Sequence, residues 1–195
     1  AFVINKLDRE RSSFERTLEN VQSAFGRAAV PIQLPMGAER DFSGVIDLVR
    51  MKAYTYTNDG DGKGKEGDIP AALTDAAQKA REALVEMIAE GNDALLEQFF
   101  EQGTLSPEQT LEGLKLAVRE RRLFPVMCAS ALRNLGTDLI LNFAIENFPC
   151  PADREPVAAT SNGHEITRAV RDSEPLAVFV FKTVADPFSG RLSYF

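Results

Sequence analysis

The sequence predicts an α/β chain: a parallel sheet with flanking helices, an inserted α+β subdomain, and the first strands of a following β domain. Three observations carry that expectation. The apolar, β-rich run Ala1-Phe2-Val3-Ile4 leads through a polar loop into an amphipathic helix, which is half of a βαβ unit. The same succession of strand, loop and helix returns between Leu123 and Phe148. The break Pro149-Cys150-Pro151 then gives way to segments of β type that run to Phe195.

After the first strand, Asn5 to Arg11 reads as a loop. Phe14, Leu18, Val21 and Phe25 then fall on one helical face, with Ser12 and Glu15 as an expected capping box and Gly26 as terminator. Ile32 to Met36 and Val45 to Tyr56 read as strands, the second alternating through Val49, Met51 and Ala53. The run Asp59-Gly60-Asp61-Gly62-Lys63-Gly64-Lys65 reads as a solvated connection. Three helices follow: about Pro70 to Glu90, with Leu73, Ala77, Ala80, Leu84 and Met87 inward; about Asp93 to Gln102; and Pro107 to Arg122, capped by Ser106. Helices packed on a small sheet make an inserted subdomain. Leu123 to Cys128 is then a strand, Ala129 to Asn134 a loop, and Thr137 to Phe148 a helix with Leu139, Phe143 and Ile145 inward. Ala152 to about Pro175 is polar enough to be a linker, and Leu176 to Val184 with Gly190 to Phe195 form an expected hairpin. Both ends read as strands cut through, which predicts a fragment of a longer protein with an exposed strand edge at Ala1, prone to self-association.

Composition narrows the classes of function. The 195 residues suffice to bury roughly 70% of the unfolded surface, so neither disulfides nor a structural metal is required. Cys128 and Cys150 lack the partners of a zinc site and read as free thiols of a reducing cytoplasm. With 22 basic against 29 acidic residues the net charge is −7, the wrong sign for a domain that lives on nonspecific phosphate contacts. No apolar run approaches the roughly 18 residues of a membrane span, so a soluble, cytoplasmic chain without a membrane partner is expected.

The residues with the clearest chemistry are Asn5-Lys6-Leu7-Asp8, in the loop at the carboxyl end of a strand, where open α/β sheets place ligands. A carboxylate at Asp8 suits guanine, because it accepts hydrogen bonds from both the ring N1–H and the exocyclic amine; adenine presents no such pair of donors. Asn5 would brace the loop, and the Lys6 stem would lie along the base with its charge in water. Ser130-Ala131-Leu132 occupies a second loop after a strand, where small residues let a backbone N–H reach the guanine O6. Alone, that tripeptide is equally an ordinary loop. Other patterns carry less. The glycine run lacks the order of a phosphate loop and of a calcium loop, and Asp-x-x-Gly recurs at Asp41, Asp59 and Asp61. His164 has no Ser or Cys in an organised loop beside it, and Arg119, Arg121 and Arg122 suit a helix C-terminus.

Several segments together resemble, in order, the bacterial translation elongation factor G family. They are Ala1 to Arg9, Pro31-Ile32-Gln33-Leu34-Pro35, Phe42 to Ala53, Gly67-Asp68-Ile69-Pro70, Pro125 to Ala131 and Asp186 to Leu192. The resemblance implies the C-terminal half of a P-loop-type GTPase domain (1–30 and 123–151) with the family's insertion (31–122). A linker (152–174) and the start of a β-barrel second domain (175–195) follow. It implies that Asn5, Lys6, Asp8, Ser130, Ala131 and Leu132 hold the guanine of GTP or GDP. The phosphate loop, both switch regions, the catalytic histidine and the Mg²⁺-holding residues are expected outside this segment, which would carry no catalytic or metal-ligating residue and be inactive alone.

The intact protein would couple GTP hydrolysis to movement of transfer RNA and messenger RNA through the ribosome, with the insertion as a surface for the ribosomal stalk protein. Leu7 in place of the usual Met, Leu135 where many members carry Lys, and Pro149-Cys150-Pro151 point to an elongation-factor-G-like paralogue. A ribosome recycling, release or ribosomal-protection GTPase is the alternative within the superfamily. A partner-binding module with vestigial nucleotide loops is the alternative from another class.

Overall fold

A computed structural model describes residues 1–57 and 60–195. Asp59, the first residue of the glycine run and of one Asp-x-x-Gly match, lies outside them. The fold is mixed α/β, with a parallel sheet, flanking helices and antiparallel sheets, and it divides into two compact units, Ala1–Phe148 and Pro149–Phe195.

In the first unit, β1 (Phe2–Ile4) is followed by α1 (Phe14–Phe25) and β2 (Ala29–Pro31). The cap of α1 is Ser13, not Ser12: Ser13 has an extended backbone and its hydroxyl accepts the Arg16 N–H at 3.2 Å. Ser12 is committed to the preceding loop, where its Oγ donates to the Leu7 carbonyl at 2.8 Å. Gly26, at φ 75°, ends the helix as expected. Phe25 projects further out than its spacing suggested and stacks on Phe2, ring centroids 4.7 Å apart.

Next come β3 (Gln33–Met36), a 3-10 turn at Glu39–Asp41, β4 (Gly44–Asp47), β5 (Lys52–Thr55) and β6 (Lys65–Gly67), an antiparallel sheet in the order β3-β4-β5-β6. The single strand expected from Val45 to Tyr56 is therefore a hairpin. Asp47 Oδ1 accepts the N–H groups of Val49 and Arg50 at 2.8 and 3.0 Å, and Met51 takes φ 54°, so the chain reverses over residues 48–51. The apolar alternation continues through that turn, which is why it read as one strand. Arg81 clamps the turn from outside, donating to the carbonyls of Leu48 and Val49, both at 2.7 Å.

Helices α2 (Ala71–Ala89), α3 (Asp93–Gln102) and α4 (Pro107–Arg119) cover this sheet. Ser106 caps α4 as expected, in a reciprocal box with Gln109. β7 (Phe124–Cys128) then enters between β1 and β2, parallel to both, and α5 (Thr137–Asn147) closes the unit. Phe143 of α5 is buried, but Ile145 is 82% exposed and Leu141 64%, because the apolar residues of α5 are spread around it rather than gathered on one stripe.

Residues on both sides of Pro31 and Leu123 share one core, in which Val30, Ile32, Met127 and Phe143 pack with Ile46, Leu48, Leu84, Ile88 and Leu114. The two sheets are also joined through the backbone: Ile32 N–H donates to the Val126 carbonyl, and Leu48 N–H to the Ile32 carbonyl, each at 3.0 Å. A second cluster, Ile4, Leu7, Phe14, Phe42, Val45, Val126, Cys128 and Leu135, lies beneath the loops that follow β1 and β7.

The second unit contains two hairpins. Residues 152–174, read from composition as a linker, include β8 (Val157–Ser161) and β9 (His164–Arg168), joined by Asn162 and Gly163 at φ 52° and 81°. That Asn-Gly pair is the turn that matches the strand twist, and it was the signal to weigh against polarity. β10 (Lys182–Asp186) and β11 (Gly190–Tyr194) form the other hairpin, its turn fixed by Asp186 accepting the N–H groups of Phe188 and Ser189. Strand geometry begins at Lys182, later than the expected Leu176.

Among the described residues no helix is long and apolar enough to cross a membrane, and no cluster of His, Cys, Asp and Glu is suited to a metal ion. Both cysteines are free; Cys150 is exposed, whereas Cys128 is buried and desolvation raises its thiol pKa well above the ordinary value. At pH 8 iodoacetamide is expected to modify Cys150 in the native protein and Cys128 only after denaturation. Equal native labelling of the two, read by peptide mass spectrometry, would contradict that burial.

Candidate functional site

The parallel pairing of β1 with β7 decides which loops meet. Ile4 lies opposite Cys128, so Asn5 and Ala129 leave their strands side by side. Ala129 N–H donates to the Ile4 carbonyl at 3.0 Å and Leu7 N–H to the Ala129 carbonyl at 3.4 Å, which carries the pairing beyond the strands. Leu7 is buried beneath the first loop and Leu135 beneath the second, so each loop is pinned by an apolar side chain. A Lys at position 135 would lose that packing, which accounts for Leu there.

Side chains then join the two loops. Asn5 Oδ1 accepts the N–H of Lys6 at 2.7 Å and that of Ala131 at 3.0 Å. Ser130 Oγ donates to Asp8 Oδ1 at 2.6 Å, across 122 positions of sequence. Lys6 adopts φ 63°, a left-handed conformation that lets the chain turn sharply at the top of the strand. The second loop is closed by paired backbone bonds of 3.0 Å between Ser130 and Leu135. Gly136, at φ 78°, follows it; a Cβ there would stand 2.8 Å from the Cys128 carbonyl oxygen.

The structure thus brings Asn5, Lys6, Asp8 and Ala131 into one surface, with Ser130 beneath it. Leu132 sits at its rim, 77% exposed. Asn5, Lys6 and Ala131 are exposed, Asp8 is half-buried and Ser130 is fully buried. Among the described residues, Asp8 Oδ2, the Asn5 side-chain amide and the Leu132 N–H have no protein hydrogen-bond partner. The surface therefore offers a carboxylate acceptor beside amide donors, which fits a planar ring that donates at one edge and accepts at the other.

The site's support includes residues that sequence reasoning passed over. Glu39 Oε1 accepts the Arg11 N–H at 2.8 Å, Arg40 pairs with Glu10 at 2.6 Å, and the Arg133 guanidinium donates to the Phe42 carbonyl at 3.4 Å. The far side of the glycine connection also approaches: Asp138 accepts the Gly64 N–H at 2.9 Å and the Tyr56 hydroxyl at 2.6 Å. Burial and the Asp138 carboxylate together push the Tyr56 phenol pKa upward. Periodicity gives no cue to any of these contacts: the first three depend on where the turn after β3 lands, and the two of Asp138 on where the glycine connection lands.

Elsewhere in the unit a cleft of about 480 Å³ is lined by Asp47, Arg50, Asp138, Phe143 and Glu146. Its charged wall is internally paired, because Arg50 reaches Asp47 at 3.2 Å and Glu146 at 2.8 Å. Of the remaining charged residues singled out by sequence, His164 begins β9 in the second unit, Arg119 ends α4, and Arg122 pairs with Glu120 at 2.7 Å.

No protein-family description matches the chain. In three dimensions it is similar over 98% of its length to a crystal structure of a protein from Thermus thermophilus, with a TM-score of 0.70 and 28% sequence identity. The chain spans 26% of that protein's length.

Proposed function

We propose that this chain is the guanine-recognising portion of a longer GTPase resembling elongation factor G. The observation that supports it best is the joining of the two loops: Asn5 bonds the backbone of Ala131 while Asp8 bonds Ser130, leaving a carboxylate oxygen beside amide donors. Asp8 would accept from the guanine N1–H and exocyclic amine. The Leu132 N–H and the Asn5 amide would serve the base's acceptors. Adenine, with an amine where guanine has O6 and no N1–H, would leave the carboxylate unpaired, and leaving a buried or half-buried charge unpaired is what makes such sites selective.

In this reading the segment supplies recognition of the base. GTP or GDP is the ligand, and the phosphates and Mg²⁺ are held by residues outside it. The longer protein would hydrolyse GTP on the ribosome and use it for translocation, with the region 31–122 as a docking surface for the stalk protein; recycling, release and ribosomal protection are the related activities to be separated from it. Calorimetric titration of GDP and of ADP into the full-length protein tests the base site directly. Selective binding of GDP supports the proposal. Equal or absent binding of both favours a partner-binding module with vestigial nucleotide loops.

A further inference from the structure

One short turn touches both candidate base loops. Residues 37–42 are held tightly: Gly37 takes φ +80° with the Asp41 carbonyl oxygen so close that a Cβ would stand 2.0 Å from it, and Asp41 N–H and Phe42 N–H close the turn on Ala38 and Glu39 at 3.0 and 3.1 Å. Phe42 is fully buried in the cluster that contains Leu7 and Leu135, the two anchors of the base loops. From this fixed platform Glu39 reaches the Arg11 N–H, Arg40 reaches Glu10, and the Phe42 carbonyl receives Arg133.

These contacts are not equivalent. The Arg40 and Glu10 side chains are 83% and 70% exposed, so water screens their attraction. The Phe42–Arg133 bond is long at 3.4 Å. Glu39 differs: the residue is half-buried on a closed turn and its carboxylate accepts the backbone N–H of exposed Arg11 at 2.8 Å, a charge-assisted bond of good length to a fixed main-chain group rather than to a mobile side chain. The residue it holds, Arg11, is at φ 63°, an unfavourable left-handed conformation for a side chain with a Cβ. The first base loop runs from Asn5 to this point and is tied at its other end by β1. Ser12 holds the Leu7 carbonyl, Ser130 holds Asp8 and Arg16 bonds the Arg11 carbonyl, so the loop has other ties; without Glu39, the Arg11 N–H at its downstream end loses the partner that offsets the residue's conformation.

Resting on the guanine reading above, we propose that Glu39, outside both base-contacting loops, is a positioning residue that sets how long the bound guanine nucleotide stays. It touches no nucleotide; it keeps Asp8 presented by holding the downstream end of its loop. Because the turn connects β3 to β4, displacement of that sheet would be felt at the base site through this carboxylate together with the packing of Phe42.

The test is stopped-flow release of a fluorescent GDP analogue from the full-length protein. Glu39→Ala is expected to release it about tenfold faster, the worth of one charge-assisted hydrogen bond, with the association rate little changed. Glu39→Gln keeps a carbonyl acceptor and is expected to recover most of the slow release, whereas Arg40→Ala stays within about twofold of wild type. Gln restores side-chain volume as well as an acceptor, so Glu39→Met, which fills the space without an acceptor, separates the roles: fast release from it supports positioning, and wild-type release from it overturns positioning. Should Glu39→Ala fail to fold, Glu39→Asp, whose arm is one methylene shorter, carries the same expectation. Release at the wild-type rate from folded Glu39→Ala or Glu39→Asp overturns the positioning role alone. A wild-type protein that does not distinguish GDP from ADP overturns the guanine reading, and this proposal with it.

Discussion

Asp8→Asn is expected to reverse the base preference of the full-length protein, weakening GDP by roughly 100-fold while creating affinity for xanthosine diphosphate. The magnitude follows from two charge-assisted hydrogen bonds at about 1.5 kcal/mol each, since 1.4 kcal/mol is a factor of ten. The reversal follows from donors and acceptors. Xanthine carries a carbonyl where guanine carries the exocyclic amine, and an amide N–H at position 8 would meet that carbonyl where a carboxylate repels it. The Asn side chain keeps an oxygen for the Ser130 hydroxyl, which donates to Asp8 at 2.6 Å, so the loop junction survives the change. Titration of both diphosphates into both proteins decides it. Unchanged GDP affinity in the variant would remove Asp8 from base recognition.

Phe42→Ala is expected to cost about 3–5 kcal/mol, the range for truncating a buried aromatic residue without repacking. Phe42 has no exposed surface, packs among Ile4, Leu7, Phe14 and Val45, and continues into a turn whose backbone is closed at Gly37 and Asp41. Those neighbours belong to β1, α1, β4 and the first base loop, so collapse into the void would have to move several elements at once. Urea unfolding of the variant should show a lower midpoint with a nearly unchanged slope. A loss below about 1 kcal/mol would mean that the cluster refills the cavity, contrary to the density expected of such a core.

Legibility in the sequence followed the range of the interactions that form each element. Helices α2, α3 and α4 are set by local periodicity and caps, and their positions could be read to within a residue or two, apart from the C-terminus of α4, which ends at Arg119 rather than Arg122. The turn at residues 48–51 was lost because Val49 and Met51 keep the strand period while Asp47 bends the backbone beneath them. Ile145 was misplaced because helical spacing on a short, generally apolar helix does not say which side faces the core. The hairpin of β8 and β9 was passed over for a different reason: its strands are almost wholly exposed and β8 runs Val-Ala-Ala-Thr-Ser without alternation, so pattern was silent and only Asn162-Gly163 marked the turn. At the candidate site, the residue types at Asn5, Asp8 and Ser130 announce a chemistry, and their position after strands announces a ligand face. The supporting Glu39 announces nothing, since a glutamate in a polar turn gains meaning only from the Arg11 N–H that the fold brings to it.

The place of β7 in its sheet also governs the order in which the chain can assemble. Among the described residues β1 and β2 make no ladder with one another and each pairs with β7, which follows β2 by the whole of the β3–β6 sheet and three helices. Among the described strands neither early strand has a ladder partner until that late segment arrives, and the entropy of closing a long loop is spent before those ladder bonds are returned. The antiparallel sheet and its helices are made of near neighbours and form the natural early scaffold. Insertion of β7 is then the step that creates the parallel sheet and, in the same act, carries Ser130 to Asp8. The pairing that completes the parallel sheet is also the pairing that joins the two loops of the candidate site.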